Sequence, residues 1–166
     1  MMSLANTASS YGSVAKTLHW LTALLILTLI PLGVVANNMA YELRNAAAPA
    51  DDLLARTAWL FSLHKTLGVA VFFVALARIA WAFTQPKPGL LHPDRKGESL
   101  AAETVHWLLY GSLVLVPLSG WIHHAAASGF APIWWPLSQN LPLVPKSEPV
   151  AAAMAGAHWV LTKVLA

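Results

Sequence analysis

Residues 15–37, AKTLHWLTALLILTLIPLGVVAN, form an apolar run that opens on one titratable side chain, His19. A bilayer core about 30 Å thick takes about 20 predominantly apolar residues as helix, so this run is long enough to cross one. Three more stretches repeat the pattern. WLFSLHKTLGVAVFFVALARIAWAF fills 59–83, a third apolar run follows the breaker-rich TQPKPGLLHPDRKGES at 84–99, and a fourth begins near Val150. The spans read as 14–36, 58–83, 102–126 and 150–166, one all-α, four-helix transmembrane bundle in a single domain over 1–166. The segment between the first two, NNMAYELRNAAAPADD, reads as aqueous. The segment before the fourth, GFAPIWWPLSQNLPLVPK, reads as interfacial: Trp134 and Trp135 suit the headgroup level, and the prolines argue against a further spanning helix.

Composition sets the class. With 57% hydrophobic and only 10% charged residues, the chain is too apolar for a water-soluble domain of 166 residues. The absence of cysteine excludes disulfides, thiolate-held iron–sulfur clusters and covalent attachment of a c-type haem. The net charge of +3 comes from scattered basic residues, which points to membrane flanks and not to nucleic acid. The first apolar run is longer than a signal-peptide core and reads as a retained span.

Basic residues orient the bundle. Lys16, Lys87, Arg95 and Lys96, with Arg78 at the end of span two, stand on one side against Arg44, Arg56, Lys65 and Lys146 on the other. This places the N-terminus and the second connection on the cytoplasmic side of the membrane. His19 and His106 then open spans one and three near the cytoplasmic face, and His64 and His158 lie near the starts of spans two and four at the outer face. LHW, VHW and AHW recur at 18–20, 105–107 and 157–159. A lone histidine at such a position reads as an interfacial cap, because ionisable groups are cheap there and costly deeper in. Four at two levels read differently: paired histidines on facing helices are how a bundle holds haem in its core.

The neighbouring residues carry paired readings. Gly68, one turn after His64, and Gly111 would let a flat macrocycle approach the backbone, or serve close helix packing. Arg78 reads as a snorkelling anchor or as the partner of a haem propionate or quinone oxygen. Lys65 reads as an interfacial anchor or as an attractor of an anionic donor. Glu103 faces cytoplasmic water or relays protons. His92 reads as solvated, and His123 and His124 as a wet interfacial pair.

The stretches YGSVAKTLHWLTALLI, LHKTLGVAVFFVALARIAW, VHWLLYGSLVLVPLSGW and GAHWVL together resemble the bacterial cytochrome b561 family, the group that includes diheme superoxide oxidases. The resemblance covers essentially the whole chain. It implies a four-helix bundle with two b-type haems that moves electrons between a periplasmic donor, superoxide among them, and a membrane quinone such as ubiquinone. It implies that His64 and His158 ligate the outer haem and that His19 is one ligand of the inner haem. In the family the partner of His19 lies about four turns further along span four than the first ligand. Ala166 lies about two turns past His158, some 12 Å into a core of about 30 Å, so the expectation is a fourth helix truncated in this chain. His106 keeps two readings, axial partner of His19 or a residue beside the inner haem and quinone, and the family motif favours the second. Two other functions are compatible with the sequence: a cytochrome b membrane anchor of a dehydrogenase or hydrogenase, and a haem-free transporter or structural membrane protein.

Overall fold

The computed structural model describes residues 3–48, 50–89, 94–127, 129–136 and 139–165, so His92 lies outside the described residues. Among them are four helices and no strand: α1 (Ser13–Asn45), α2 (Asp51–Thr84), α3 (Lys96–Ala126) and α4 (Glu148–Leu165). The first three are each long and apolar enough to cross a membrane, and α4 is short, at 18 residues. The helices outrun the apolar spans. The stretch read as an aqueous connection continues α1 to Asn45, because Ala, Met, Glu, Leu and Arg are good helix formers whether or not lipid surrounds them. Hydropathy marks where lipid ends, not where the hydrogen-bond ladder does. Arg44 in the last turn of α1 and Asp51 and Asp52 in the first turn of α2 suit the helix dipoles at this short connection.

The burial pattern is that of a membrane bundle. The largest fully buried side chains are Thr22, Thr57 and Ser62, while Leu24, Leu27, Trp20 and Phe83 are exposed. Small residues let helices approach where lipid is as apolar as leucine and no hydrophobic force separates core from surface. The threonine hydroxyls donate back to their own helices, Thr22 to the Leu18 carbonyl at 2.6 Å and Thr57 to that of Leu53 at 2.7 Å, so neither is stranded. One apolar cluster, Leu29, Val71, Ala75 and Leu113, joins α1, α2 and α3 at mid-height, with Leu25, Ile26, Leu67 and Tyr110 packed around it.

The helices form an open row. α1 packs on α2, α2 on α3 and α3 on α4, and among the described residues the backbones of α1 and α4, and those of α2 and α4, do not approach within 8 Å. We call the end that carries the N-terminus and the α2–α3 connection proximal, and the opposite end distal. At the proximal end, residues 3–12 fold back over the start of α1, which has no side-chain cap. The Ser3 and Leu4 carbonyls accept from the amides of Ser13 and Val14, satisfying donors that every helix start leaves free. A Cβ on Gly12 would stand 2.3 Å from the Leu4 carbonyl oxygen, so only glycine admits this crossing. Asn6 then fastens the segment to the α2–α3 connection, its amide donating to Gln85 Oε1 at 3.1 Å and its side chain to the Pro86 carbonyl at 3.2 Å.

At the distal end, the described residues of the α3–α4 connector, 127, 129–136 and 139–147, run without helix against α2. Phe130 meets Phe61 edge-on, Trp134 meets Trp59, and its amide donates to Thr66 Oγ1 at 2.9 Å. Trp135 departs from the expected headgroup position. Its ring stacks on Phe73 with planes 4° apart, and among the described residues its buried indole nitrogen has no hydrogen-bond partner. Stacking on a flat ring holds it away from the wet edge it would otherwise seek.

Candidate functional site

The sequence put His64 on α2 and His158 on α4, and the fold turns the two toward each other. Their ring centroids are 6.3 Å apart and their planes cross at 89°. The backbones of α2 and α4 make no close approach, so the imidazoles bridge a gap that the helices leave open. Two imidazoles that share one first-row metal, each nitrogen about 2 Å from it, have ring centroids about 6 Å apart. This pair stands at that separation.

The surroundings of each ring decide which nitrogen is free. His158 Nδ1 donates to the Val116 carbonyl on α3 at 2.9 Å, with Ser119 Oγ at 3.3 Å, and Ser119 itself donates to the same carbonyl at 2.7 Å. A proton held on Nδ1 leaves the lone pair on Nε2, the tautomer of a metal ligand oriented by a backbone carbonyl. Behind the ring, Thr162 donates to the His158 carbonyl. His64 Nδ1 is buried beside the Leu29 backbone but outside hydrogen-bond geometry. Among the described residues no hydrogen bond reaches Nε2 of either ring. Each ring also presses the edge carrying Cε1 and Nδ1 onto a glycine of the neighbouring helix, His64 onto Gly33 of α1 and His158 onto Gly120 of α3. Gly68, singled out in the sequence beside His64, has open space where a side chain would project, and so has Gly111.

Around the pair lies a polar network that the sequence did not reveal. Lys65 Nζ donates to the carbonyls of Phe130 at 2.5 Å and Ala131 at 2.9 Å and to His124 Nδ1 at 3.2 Å. His124 Nε2 in turn donates to Gln139 Oε1 at 3.3 Å, which also accepts from the Ile133 amide at 2.9 Å. The three N–H groups of the ammonium thus have acceptors inside the protein. Lys65 is a latch on the α3–α4 connector, where the sequence offered an interfacial anchor or an attractor of an anionic donor. Of the expected wet pair, His124 is likewise internal, 6% exposed, and half-buried His123 donates through Nδ1 to the Ala151 carbonyl of α4 at 2.8 Å.

The proximal end is built differently. Arg78 of α2 donates through Nη2 to His19 Nδ1 of α1 at 3.0 Å, and its guanidinium carbon lies 5.3 Å from the Tyr110 ring centre. An acceptor role at Nδ1 puts the His19 proton on Nε2, opposite to His158. His106 is exposed and turned back on its own helix, Nδ1 to the Ala102 carbonyl at 2.7 Å. Glu103 pairs with Lys87 at 3.3 Å in an exposed bridge, the solvated reading of that residue. The distal pair therefore fits a metal-centred cofactor such as haem. Among the described residues, the proximal end offers His19 engaged by an arginine and His106 turned onto its own helix, with no ring contact between the two.

Sequence reasoning missed Gly33, Gly120 and Ser119. Their signal was present in PLG at 31–33 and PLSG at 117–120, a proline inside an apolar span followed within three residues by glycine. Both prolines lie within helices.

Comparison with known proteins agrees with this architecture. A family model described as prokaryotic cytochrome b561 matches residues 10–166. The chain is also 27% identical over 124 residues to cytochrome b561 homolog 2 of Escherichia coli (strain K12), a match that covers 73% of this chain and 58% of that protein. The chain thus spans a little over half the length of the curated relative it matches.

Proposed function

Because the chain belongs to the prokaryotic cytochrome b561 family, membrane cytochromes that transfer electrons on haem b, we propose that His64 and His158 together hold one haem iron at the distal level. The observation that carries this is the facing imidazole pair, 6.3 Å between centroids, with Nε2 of both rings free. When bound, haem supplies a one-electron ferric–ferrous couple whose potential is set by its axial ligands and their surroundings. The chain's residues do the rest. Val116 and Ser119 fix the His158 tautomer, and Gly33 and Gly120 give both rings room. With both histidines taken up in holding the haem, a substrate would have no ligand position on the iron, and the chemistry would be outer-sphere electron transfer.

Fourteen residues separate His64 from Arg78 along α2, a rise of about 21 Å, so the proximal level lies most of a membrane thickness away. We place the quinone there, beside Arg78, Tyr110 and His106, and assign His19 a ligand role at a second haem, once an anionic group such as a propionate draws Arg78 off Nδ1. His106 stays beside that site. The proximal end is cytoplasmic in this reading, and the donor works from the distal, periplasmic side. One observation favours a second reading of the donor: Lys65 is engaged internally, so the cation nearest the distal pair does not face a small anion such as superoxide. A protein donor, as for a membrane anchor of a dehydrogenase or hydrogenase, needs no such cation.

The test is haem stoichiometry in purified single variants. His64→Ala and His158→Ala should each lose about one haem equivalent, since a lone axial bond seldom retains a b haem in a bundle. If His158→Ala kept full haem and an unchanged spectrum, the pairing would be wrong.

A further inference from the structure

The distal histidines are seated alike. A Cβ added to Gly33 would stand 2.8 Å from Cε1 and 3.2 Å from Nδ1 of His64, and one added to Gly120 would stand 3.1 Å from both Cε1 and Nδ1 of His158. These are the glycines whose missing side chain faces a histidine ring. Gly68, Gly111 and Gly156, also on helices, meet nothing within 4 Å. Each seat belongs to the helix that precedes the histidine's own, α1 for α2 and α3 for α4, so each helical hairpin carries one ring together with its seat.

We propose that Gly33 and Gly120 are positioning residues that set the planes of the two axial imidazoles. This rests on the reading that His64 and His158 share one haem iron. A histidine ring on a helix turns about its Cβ–Cγ bond, and here the rim that would sweep outward lies against glycine backbone. On His158 the hydrogen bond from Nδ1 to Val116, one turn before Gly120 on the same helix, fixes the same rotation. Each hairpin thus fixes one plane relative to its own two helices, and the packing of α2 on α3 joins the hairpins so that the planes cross at 89°. The angle is a property of two local seats and one interface. An alanine methyl at either seat pushes its ring toward a new plane, and the closer approach at Gly33 makes that push the larger.

Crossed and parallel imidazole planes are distinguishable by electron paramagnetic resonance of the ferric protein. Crossed planes leave the iron orbitals nearly degenerate and give a strongly anisotropic low-spin signal, and turning them toward parallel gives an ordinary rhombic one. The protein, Gly33→Ala, Gly120→Ala and Gly156→Ala are purified with haem and compared, and the distal signal is identified as the one lost in His158→Ala. Expected are a strongly anisotropic distal signal in the unaltered protein, the same signal in Gly156→Ala, and a shift toward the rhombic form in both seat variants, larger for Gly33→Ala. If Gly33→Ala does not accumulate, Gly120→Ala decides, because its methyl asks the ring to give only a few tenths of an ångström. Unchanged signals and haem content in the seat variants overturn the proposal. A His158→Ala protein with full haem overturns instead the reading beneath it.

Discussion

Replacing Lys65 by methionine keeps an unbranched side chain one heavy atom shorter and removes the three N–H donors. The carbonyl of Phe130, a residue 48% exposed, can turn to water, whereas Ala131 is 7% exposed and His124 6%, so their acceptors are stranded. A buried acceptor left without a partner costs about 1–3 kcal/mol. Two of them, less the desolvation of the ammonium that no longer has to be buried, put the loss at about 2–4 kcal/mol, confined to the α3–α4 connector. At tenfold per about 1.4 kcal/mol, local opening becomes roughly thirty- to seven-hundred-fold more frequent. The amides of Ile133 and Trp134 report it, since they donate to Gln139 Oε1 and Thr66 Oγ1 and exchange only when the connector lifts. Hydrogen–deuterium exchange of the protein in nanodiscs should show faster labelling over 129–135 in Lys65→Met, with 20–45 unchanged. Equal protection in both proteins would refute the latch and return Lys65 to the role of a free cation at the distal surface.

At the proximal end, Gly12→Ala forces residues 3–12 off the start of α1, and limited proteolysis should cut that segment faster while the distal haem is retained. Ala131 holds a left-handed backbone, φ 59°, that costs a non-glycine residue about 1–2 kcal/mol; Ala131→Gly should stabilise the connector by about 1 kcal/mol, read as slower exchange over 129–135. The haem content of His106→Ala should match that of the unaltered protein, while His19→Ala should lose haem, and the reverse result would exchange their roles. Asp52→Asn should shift thermal stability by less than about 0.5 kcal/mol, because the Arg56–Asp52 pair is exposed on both sides, 72% and 67%.

The fold was legible because lipid imposes a coarse rule that apolar length alone satisfies. Spans read at 14–36 and 58–83 lie inside α1 and α2, and the error falls at the ends, where NNMAYELRN stays helical beyond the apolar run. The distal histidines were legible as a pair because alternating helix direction brings the start of span two level with the start of span four. Their glycine seats were not, since which glycine meets which ring depends on the rotation of one helix against another, and period and hydropathy do not encode that. Lys65 and His124 misled for a related reason. From sequence a lysine and two histidines at a span end face water, and only the return of Phe130 and Ala131 over α2 supplies the carbonyls that take the ammonium inside. Arg78 on His19 shows the same limit at the proximal end, where two residues 59 apart in sequence meet because α1 and α2 run antiparallel.

The most direct test of the haem assignment is the location of iron in the haem-loaded protein, by anomalous scattering at the iron edge or by electron cryomicroscopy. Expected is an iron between the rings of His64 and His158, with Nε2 of each about 2 Å from it and the Nδ1 of His158 still on the Val116 carbonyl. An iron bound elsewhere, or held by only one of these two histidines, would contradict it.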